Sequence, residues 1–426
     1  MAPQNAYSVL GLRKGSSEEE IKRAYVELVK RFDPEKHTDR FMVIQTAYEN
    51  LRDPVRRARE DILTFNYIKG SFHFTPAEKT QEPDPQLNHA LQDLEAKFSQ
   101  DNANGDIRSA YITALMKRSF KKAKKHLWAE AIEDWQKVLT VDPTHQRAKN
   151  NMFHSFIALG YSYAEHELYE ESIDLWERAL HMNPDNGELL HNLAIACEFA
   201  GKIEPSRRYW TEVLRRWQTS LQENPDDTYT QNCIIEVRRH HGGKALDEGA
   251  AKGDSIEEYK EILKIKPDDF DAQYKVASAM MEEHRWSEAL QGLGALSRQY
   301  PKNIEVLNLL GWAFLNSGRI EQAFQAWNRA LTLDPKNHST REAIIKARMA
   351  MGRAYRGKGM HTQSLVHFKA LLRLDPNSAE TYLEIGQTYM QKGDKRSAAQ
   401  AFSQVMRLDP KNRVVKQFLS EMKLRT

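Results

Sequence analysis

The sequence predicts an all-α protein in two parts: a small helical-hairpin domain, then an α-solenoid of about eight repeated units. Three observations carry this. First, LLGWAFLNSGRIEQAFQAWNRALTLDPKN (309–337) and EIGQTYMQKGDKRSAAQAFSQVMRLDPKN (384–412) share one register of small, aromatic and closing Asp-Pro positions. Second, the apolar residues within each half of such a unit fall three and four apart, the period of an amphipathic helix. Third, residues 5–65 carry helical apolar stripes of their own but do not follow the repeat.

Composition sets the outer limits. At 426 residues the chain is long enough for two or more domains. Its 62 Lys and Arg against 59 Asp and Glu leave a formal charge of +3, so bulk charge selects no partner. Cys197 and Cys233 are too few for a disulfide framework. They are expected as small, semi-buried residues in a reducing compartment. The start MAPQNAYSVLGLRKG lacks the apolar core of a signal peptide. No apolar run approaches the roughly 20 residues that span a bilayer. The expectation is a soluble cytoplasmic protein with no membrane span.

In residues 1–65, NAYSVLGLRKGSSEEEIKRAYVELVKRF reads as a short helix, a turn and a longer helix capped by Ser16 or Ser17. DPEKHTD interrupts it, RFMVIQTAYENL starts a second long helix, and RDPVRRAREDIL follows. Ile21, Ala24 and Leu28 face Phe41, Ile44, Ala47, Tyr48 and Leu51, which makes an antiparallel hairpin. Lys22, Arg23, Lys30 and Arg31 form a basic face on the first long helix, and Asp33-Pro34-Glu35 makes the corner at its end. Carboxylates two apart across a proline do not converge on one catalytic site.

Residues 66–105 are read as a linker. TPAEKTQEPDP (75–85) is polar and Pro-rich, hence extended or flexible, and LNHALQDLEAKF is read as a short helix. The modules on either side are expected to move relative to each other.

Residues 106–426 hold the repeats and a closing helix, VVKQFLSEMKL. The closing prolines set the period. Pro267, Pro301 and Pro335 are 34 apart, as are Pro376 and Pro410, whereas Pro143, Pro184 and Pro225 are 41 apart. Seven extra residues are close to two helical turns, so the longer units are expected to have longer helices with an unchanged apolar face. Residues 229–268 are the weakest unit, with RRHHGGKALDEGAAKGD breaking the pattern. Trp135, Trp176, Trp210 and Trp327 fall at core positions of their units and are expected to carry packing, not a cofactor.

Motifs for chemistry are missing: no Gly-rich phosphate loop, no Ser/His/Asp set and no Cys/His cluster occurs. His240-His241 lacks further ligands at helical spacing, so no metal, no cofactor and no enzymatic activity are expected. KRSFKKAKKH (117–126) and the pairs Arg207-Arg208, Arg215-Arg216 and Arg238-Arg239 concentrate positive charge. The charges come as runs and pairs, not in alternation with a series of aromatics for base stacking, so a solvated face or an acidic-protein dock is favoured over nucleic acid.

The small, aromatic and Asp-Pro positions of the repeat resemble the tetratricopeptide repeat. In that family the first helix of each unit lines a concave groove. The resemblance implies that His154, Ile157, Tyr161, Glu188, His191, Ile195, Asn308, Trp312, Met349, Arg353, Leu383 and Gln387 face a peptide or protein ligand. The variant that grips acidic chaperone tails needs a set of Lys, Arg and Asn that Asn192 alone matches only in part, so that specificity is not assigned.

Tyr7, Leu10-Gly11, Glu20-Ile21, Ala24-Tyr25, Leu28, Phe41, Ile44, Ala47-Tyr48, Leu51 and Asp53-Pro54 resemble a J-domain of DnaJ-like co-chaperones. In that family a His-Pro-Asp tip contacts seventy-kilodalton heat-shock chaperones and stimulates their ATPase. Here the tip is Asp33-Pro34-Glu35, which exchanges a hydrogen-bond donor for an acceptor of opposite charge. The resemblances together imply a non-enzymatic scaffold or co-chaperone-like adaptor with weak or no ATPase stimulation. The alternatives are an active J-domain co-chaperone and a basic nucleic-acid-associated repeat protein.

Overall fold

A computed structural model describes residues 5–69, 72, 86–247 and 252–423, and every regular element among them is a helix. By compactness the chain divides into two units, Met1–His240 and His241–Thr426. The first unit opens with a head of α1 (Ala6–Leu10), α2 (Glu18–Arg31), α3 (Thr38–Arg52) and α4 (Pro54–Ile62). It continues with α5 (Gln86–Gln100), α6 (Gly105–Lys124), α7 (Trp128–Val141), α8 (Gln146–Glu165), α9 (Tyr169–Met182), α10 (Gly187–Phe199), α11 (Ile203–Glu223) and most of α12 (Thr228–Asp247). The second unit holds α13 (Lys252–Ile265), α14 (Phe270–Glu282), α15 (Trp286–Gln299), α16 (Ile304–Asn316), α17 (Ile320–Leu333), α18 (His338–Gly357), α19 (His361–Leu371), α20 (Ala379–Lys392), α21 (Lys395–Leu408) and α22 (Arg413–Lys423).

The head is built from local signals and one core. Ser17, not Ser16, caps α2: its hydroxyl accepts the Glu20 N–H while the Glu20 carboxylate accepts the Ser17 N–H. Asp53 caps α4, and Pro54 takes the first helical position, where a missing N–H does no harm. Tyr7, Leu10, Ile21, Ile44 and Leu51 fill the core, and Tyr25 stacks on Tyr48 at 4.1 Å.

The extra seven residues of the long units lie inside helices. First helices α14 and α16 have 13 residues and α8 and α18 have 20, while second helix α11 has 21 against 14 in α17. Two added turns leave the buried stripe on the same face.

One contact repeats along the array: a glycine of the first helix meets a ring sixteen residues on in the second. A Cβ at Gly160 would stand 2.5 Å from the Trp176 ring, and the same pairing recurs at Gly311–Trp327, Gly352–Phe368 and Gly386–Phe402. The four tryptophans expected in the core are all fully buried, and each indole N–H has an acceptor. In the weakest unit, α12 runs unbroken through Gly242-Gly243, and Gly242 packs on Tyr259 with a single residue of extra spacing. Residues 248–251 lie outside the described residues.

Two expectations need correction. Cys197 and Cys233 are fully buried, not semi-buried. Desolvation raises their thiols, Cys197 to about 11 and Cys233 to about 12. The interval 66–105 is packed chain at both described ends. Leu87 and Leu91 of α5 are buried with Tyr111 and Leu115 of α6, and residues 65–68 lie against the repeats, because their side chains find partners there. The extended stretch expected over 75–85 lies outside the described residues.

Candidate partner-binding surfaces of the head and the repeats

The corner between α2 and α3 is held by its own acid. Asp33 Oδ1 accepts the Glu35 N–H at 2.8 Å, its carbonyl accepts from Lys36 and His37, and Thr38 Oγ1 donates to the Pro34 carbonyl. Asp33, Pro34 and Glu35 are exposed, and so are Lys22, Arg23, Lys30 and Arg31 on α2. The basic face and the corner therefore both meet solvent.

Another side of the head is covered. Asp61 of α4, 2 % exposed, accepts the Tyr229 hydroxyl of α12 at 2.6 Å, with Arg57 at 3.9 Å. Arg59 pairs with Glu236 of α12 at 2.8 Å, and Glu236 also holds Arg239. Lys14 Nζ donates to the carbonyls of Asp61 at 2.6 Å and Thr64 at 3.1 Å, and burial lowers its ammonium to about 8. Buried charges of this kind stand only when paired, so the head has a defined seat on the repeats.

The chain leaving α4 then runs along the first helices of the repeats. Phe65 packs among Tyr169, Trp176 and Phe199. Asn192 of α10 clamps the Asn66 backbone: its Oδ1 accepts the Asn66 N–H at 2.6 Å and its Nδ2 donates to the Asn66 carbonyl at 2.9 Å. The Asn66 amide lies 2.9 Å from His191 Nδ1 and donates to the Glu188 carbonyl. Tyr67 meets Tyr161 edge-on and carries the Arg13 guanidinium 3.8 Å above its ring. Ile68 joins the α8–α10 core, and Phe72 stacks on Trp128 beside His154.

All six groove positions expected in this unit are thus placed, but not as an open surface. His154, Tyr161, Glu188 and His191 touch the segment, while Ile157, His191 and Ile195 are 3 %, 2 % and 0 % exposed. Burial holds the His191 imidazole well below its ordinary value. Sequence reading missed the segment and its clamp. The available signal was the aromatic-rich FNYIKGSF placed directly after the head and before the Pro-rich stretch.

In the second unit, Trp312 and Gln387 are half-buried, and Leu383 lies at the edge of the α20–α21 core. Arg353 is exposed and pairs with Glu380 at 2.8 Å and Glu384 at 2.6 Å. Asn308 faces inward: its Oδ1 accepts from Thr340 Oγ1. Met349 is a correction, since it lies in the core with Leu365, Phe368 and Ile385. A flexible thioether at a first-helix position turned toward the second helix.

The basic stretch is partly neutralised within the chain. Arg118 makes a two-pronged bond to Asp134, which Lys122 also reaches at 3.0 Å. Arg215 and Arg216 share Glu212. His240 lies against Glu198, and among the described residues no group of three or more His, Cys, Asp or Glu is arranged to hold a metal. No helix among them is long and apolar enough to cross a membrane.

Comparison with known proteins matches the head and the repeats from residue 247 onward to family models. The DnaJ domain model matches residues 5–61, and tetratricopeptide repeat models match 247–313, 304–337, 352–393 and 379–412. Chaperone protein DnaJ of Thermotoga maritima is 35% identical over 102 residues, 22% of this chain and 26% of that protein. Chaperone protein DnaJ of Macrococcus caseolyticus is 46% identical over 66 residues, 14% of this chain and 18% of that protein. The chain thus spans about a quarter or less of the length of these curated relatives. Among solved structures, MamA is similar at 21% identity, covering 42% of this chain and 93% of that chain with a TM-score of 0.33. The C-terminal part of a TPR repeat-containing protein from Cytophaga hutchinsonii is similar at 14%, covering 61% and 98% with a TM-score of 0.37.

Proposed function

We propose, for a chain that carries an N-terminal DnaJ domain followed by tetratricopeptide repeats, that it is a non-enzymatic, co-chaperone-like adaptor of the cytoplasm. Its head docks an acidic protein surface through Lys22, Arg23, Lys30 and Arg31. Its repeats hold a second protein or peptide, with Trp312, Arg353, Leu383 and Gln387 of the second unit as contact residues. The reading needs no cofactor and no metal.

The observation that carries the reading is how the head is used. The head is seated through α4, which leaves the basic face of α2 and the corner open to a partner. At that corner Asp33 is engaged in holding the turn and presents a carboxylate where the family has an imidazole. The head therefore docks a heat-shock chaperone of the seventy-kilodalton class weakly and stimulates its ATPase little or not at all.

The test is chaperone ATPase with the full chain, the Asp33→His chain, and the Asp33→His/Glu35→Asp chain. Turnover near the basal rate with wild type, rising with the double variant, is the expected result. Clear stimulation by wild type would instead establish an active co-chaperone. The local pairing of Arg118, Lys122, Arg215 and Arg216 speaks against the nucleic-acid reading.

A further inference from the structure

We propose that the groove of α8 and α10 is a receptor for an extended segment of aromatic–Asn–aromatic–aliphatic chemistry, and that residues 65–68 are its tethered competitor. The inference rests on reading the repeats as peptide-binding modules, and it adds both the chemistry of the ligand and the state of the site.

The seat is built for a peptide, not for a packed domain surface. Asn192, with no exposed surface, uses both ends of its amide on the main chain of Asn66, an arrangement indifferent to which protein supplies that main chain. His191, 2 % exposed, and the Glu188 carbonyl then read the Asn side chain. Flanking sites take one ring among Tyr169, Trp176 and Phe199 and a second against Tyr161. Main-chain pairing supplies affinity and alternate side-chain pockets supply selectivity, the division of labour of extended-peptide recognition.

The occupant is joined to the head: Lys14 is held by the carbonyls of Asp61 and Thr64, and Thr64 lies only two residues before Asn66. A short tether holds such a ligand at an effective concentration on the order of millimolar. A partner peptide of the same pattern meets a shut groove, and its entry removes the segment that continues from α4.

The probe is a fluorescein-labelled peptide TFNYIKGSF, the sequence of residues 64–72, titrated against the full chain and read by anisotropy. Phe65→Ala/Asn66→Ala in the full chain is expected to bind it about ten-fold or more tighter than wild type, as removal of a tethered competitor requires. Adding Asn192→Ala is expected to abolish that gain, and a scrambled peptide to bind neither chain. Equal binding by wild type and the double variant overturns the proposal, as does tight binding that ignores Asn192→Ala. An independent measurement needs no mutation: saturating unlabelled peptide should speed amide exchange at Asn66 in wild type, and unchanged exchange overturns the idea. Chaperone ATPase involves neither Asn66 nor Asn192, so failure here leaves the reading of the head standing.

Discussion

At the scale of single residues, the repeat rests on a size rule that the sequence displays. Gly160 is small because the Trp176 ring occupies the space a Cβ would take. Gly160→Ala is expected to lower stability by about 1–3 kcal/mol through overpacking, more than the roughly 1 kcal/mol that alanine returns in helix propensity. Denaturant unfolding measures it, and a neutral or stabilised variant would sink the account. Gly242 was harder to recognise, because its ring, Tyr259, lies seventeen residues on rather than sixteen. The groove residues were legible only as a face. His154, Tyr161, Glu188 and His191 do lie toward the first-helix surface, but nothing in the pattern indicated that the chain itself covers them.

At the scale of elements, α4 has a local start signal in Asp53-Pro54, yet its role came from what it touches. Asp61 sits in a helix rich in arginine, where no periodic signal marks an acid as buried. It is nonetheless buried against Tyr229, a residue 168 positions away. Tyr229→Phe keeps the ring and removes the donor, leaving a buried carboxylate short of a partner. The head is expected to lose about 1–3 kcal/mol of its attachment, seen as faster amide exchange in α4 with the repeats unaffected. Protection in α4 unchanged from wild type would show that the hydroxyl contributes nothing. The repeat helices were the most legible elements, since a seven-residue insertion is absorbed by α8, α11 and α18 without turning the apolar stripe.

At the scale of the first unit, the seating of the head is coupled to protons. Lys14 is lowered from 10.5 to about 8 by burial, although Asp61, Cys233 and Glu188 around it favour the ammonium. Its undocked form titrates near the ordinary value, so between pH 8 and 10.5 the undocked state binds a proton that the docked state has released. Raising pH through that window favours docking. His191 acts with the same sign at lower pH: buried neutral, it disfavours acid, and docking weakens as pH falls below about 6.5. Protease cleavage within 65–68 should therefore slow progressively from pH 6 to 7.5 to 9.5, after correction for the protease's own pH profile. Cleavage that quickens or stays level would contradict the coupling.

The sequence by itself determined the helices, the repeat, the identity of both parts and the altered corner at Asp33-Pro34-Glu35. These follow from local rules: apolar period, caps, and a small-to-large pairing within some sixteen residues. Only the tertiary structure decided that the head is seated by α4 and that residues 65–68 pack against α8, α9 and α10. Those contacts join positions more than a hundred residues apart, as Asn66 and Asn192 are. Hydrogen-bonding groups at that separation carry no periodic signal, so complementarity between them becomes visible only once both elements are folded.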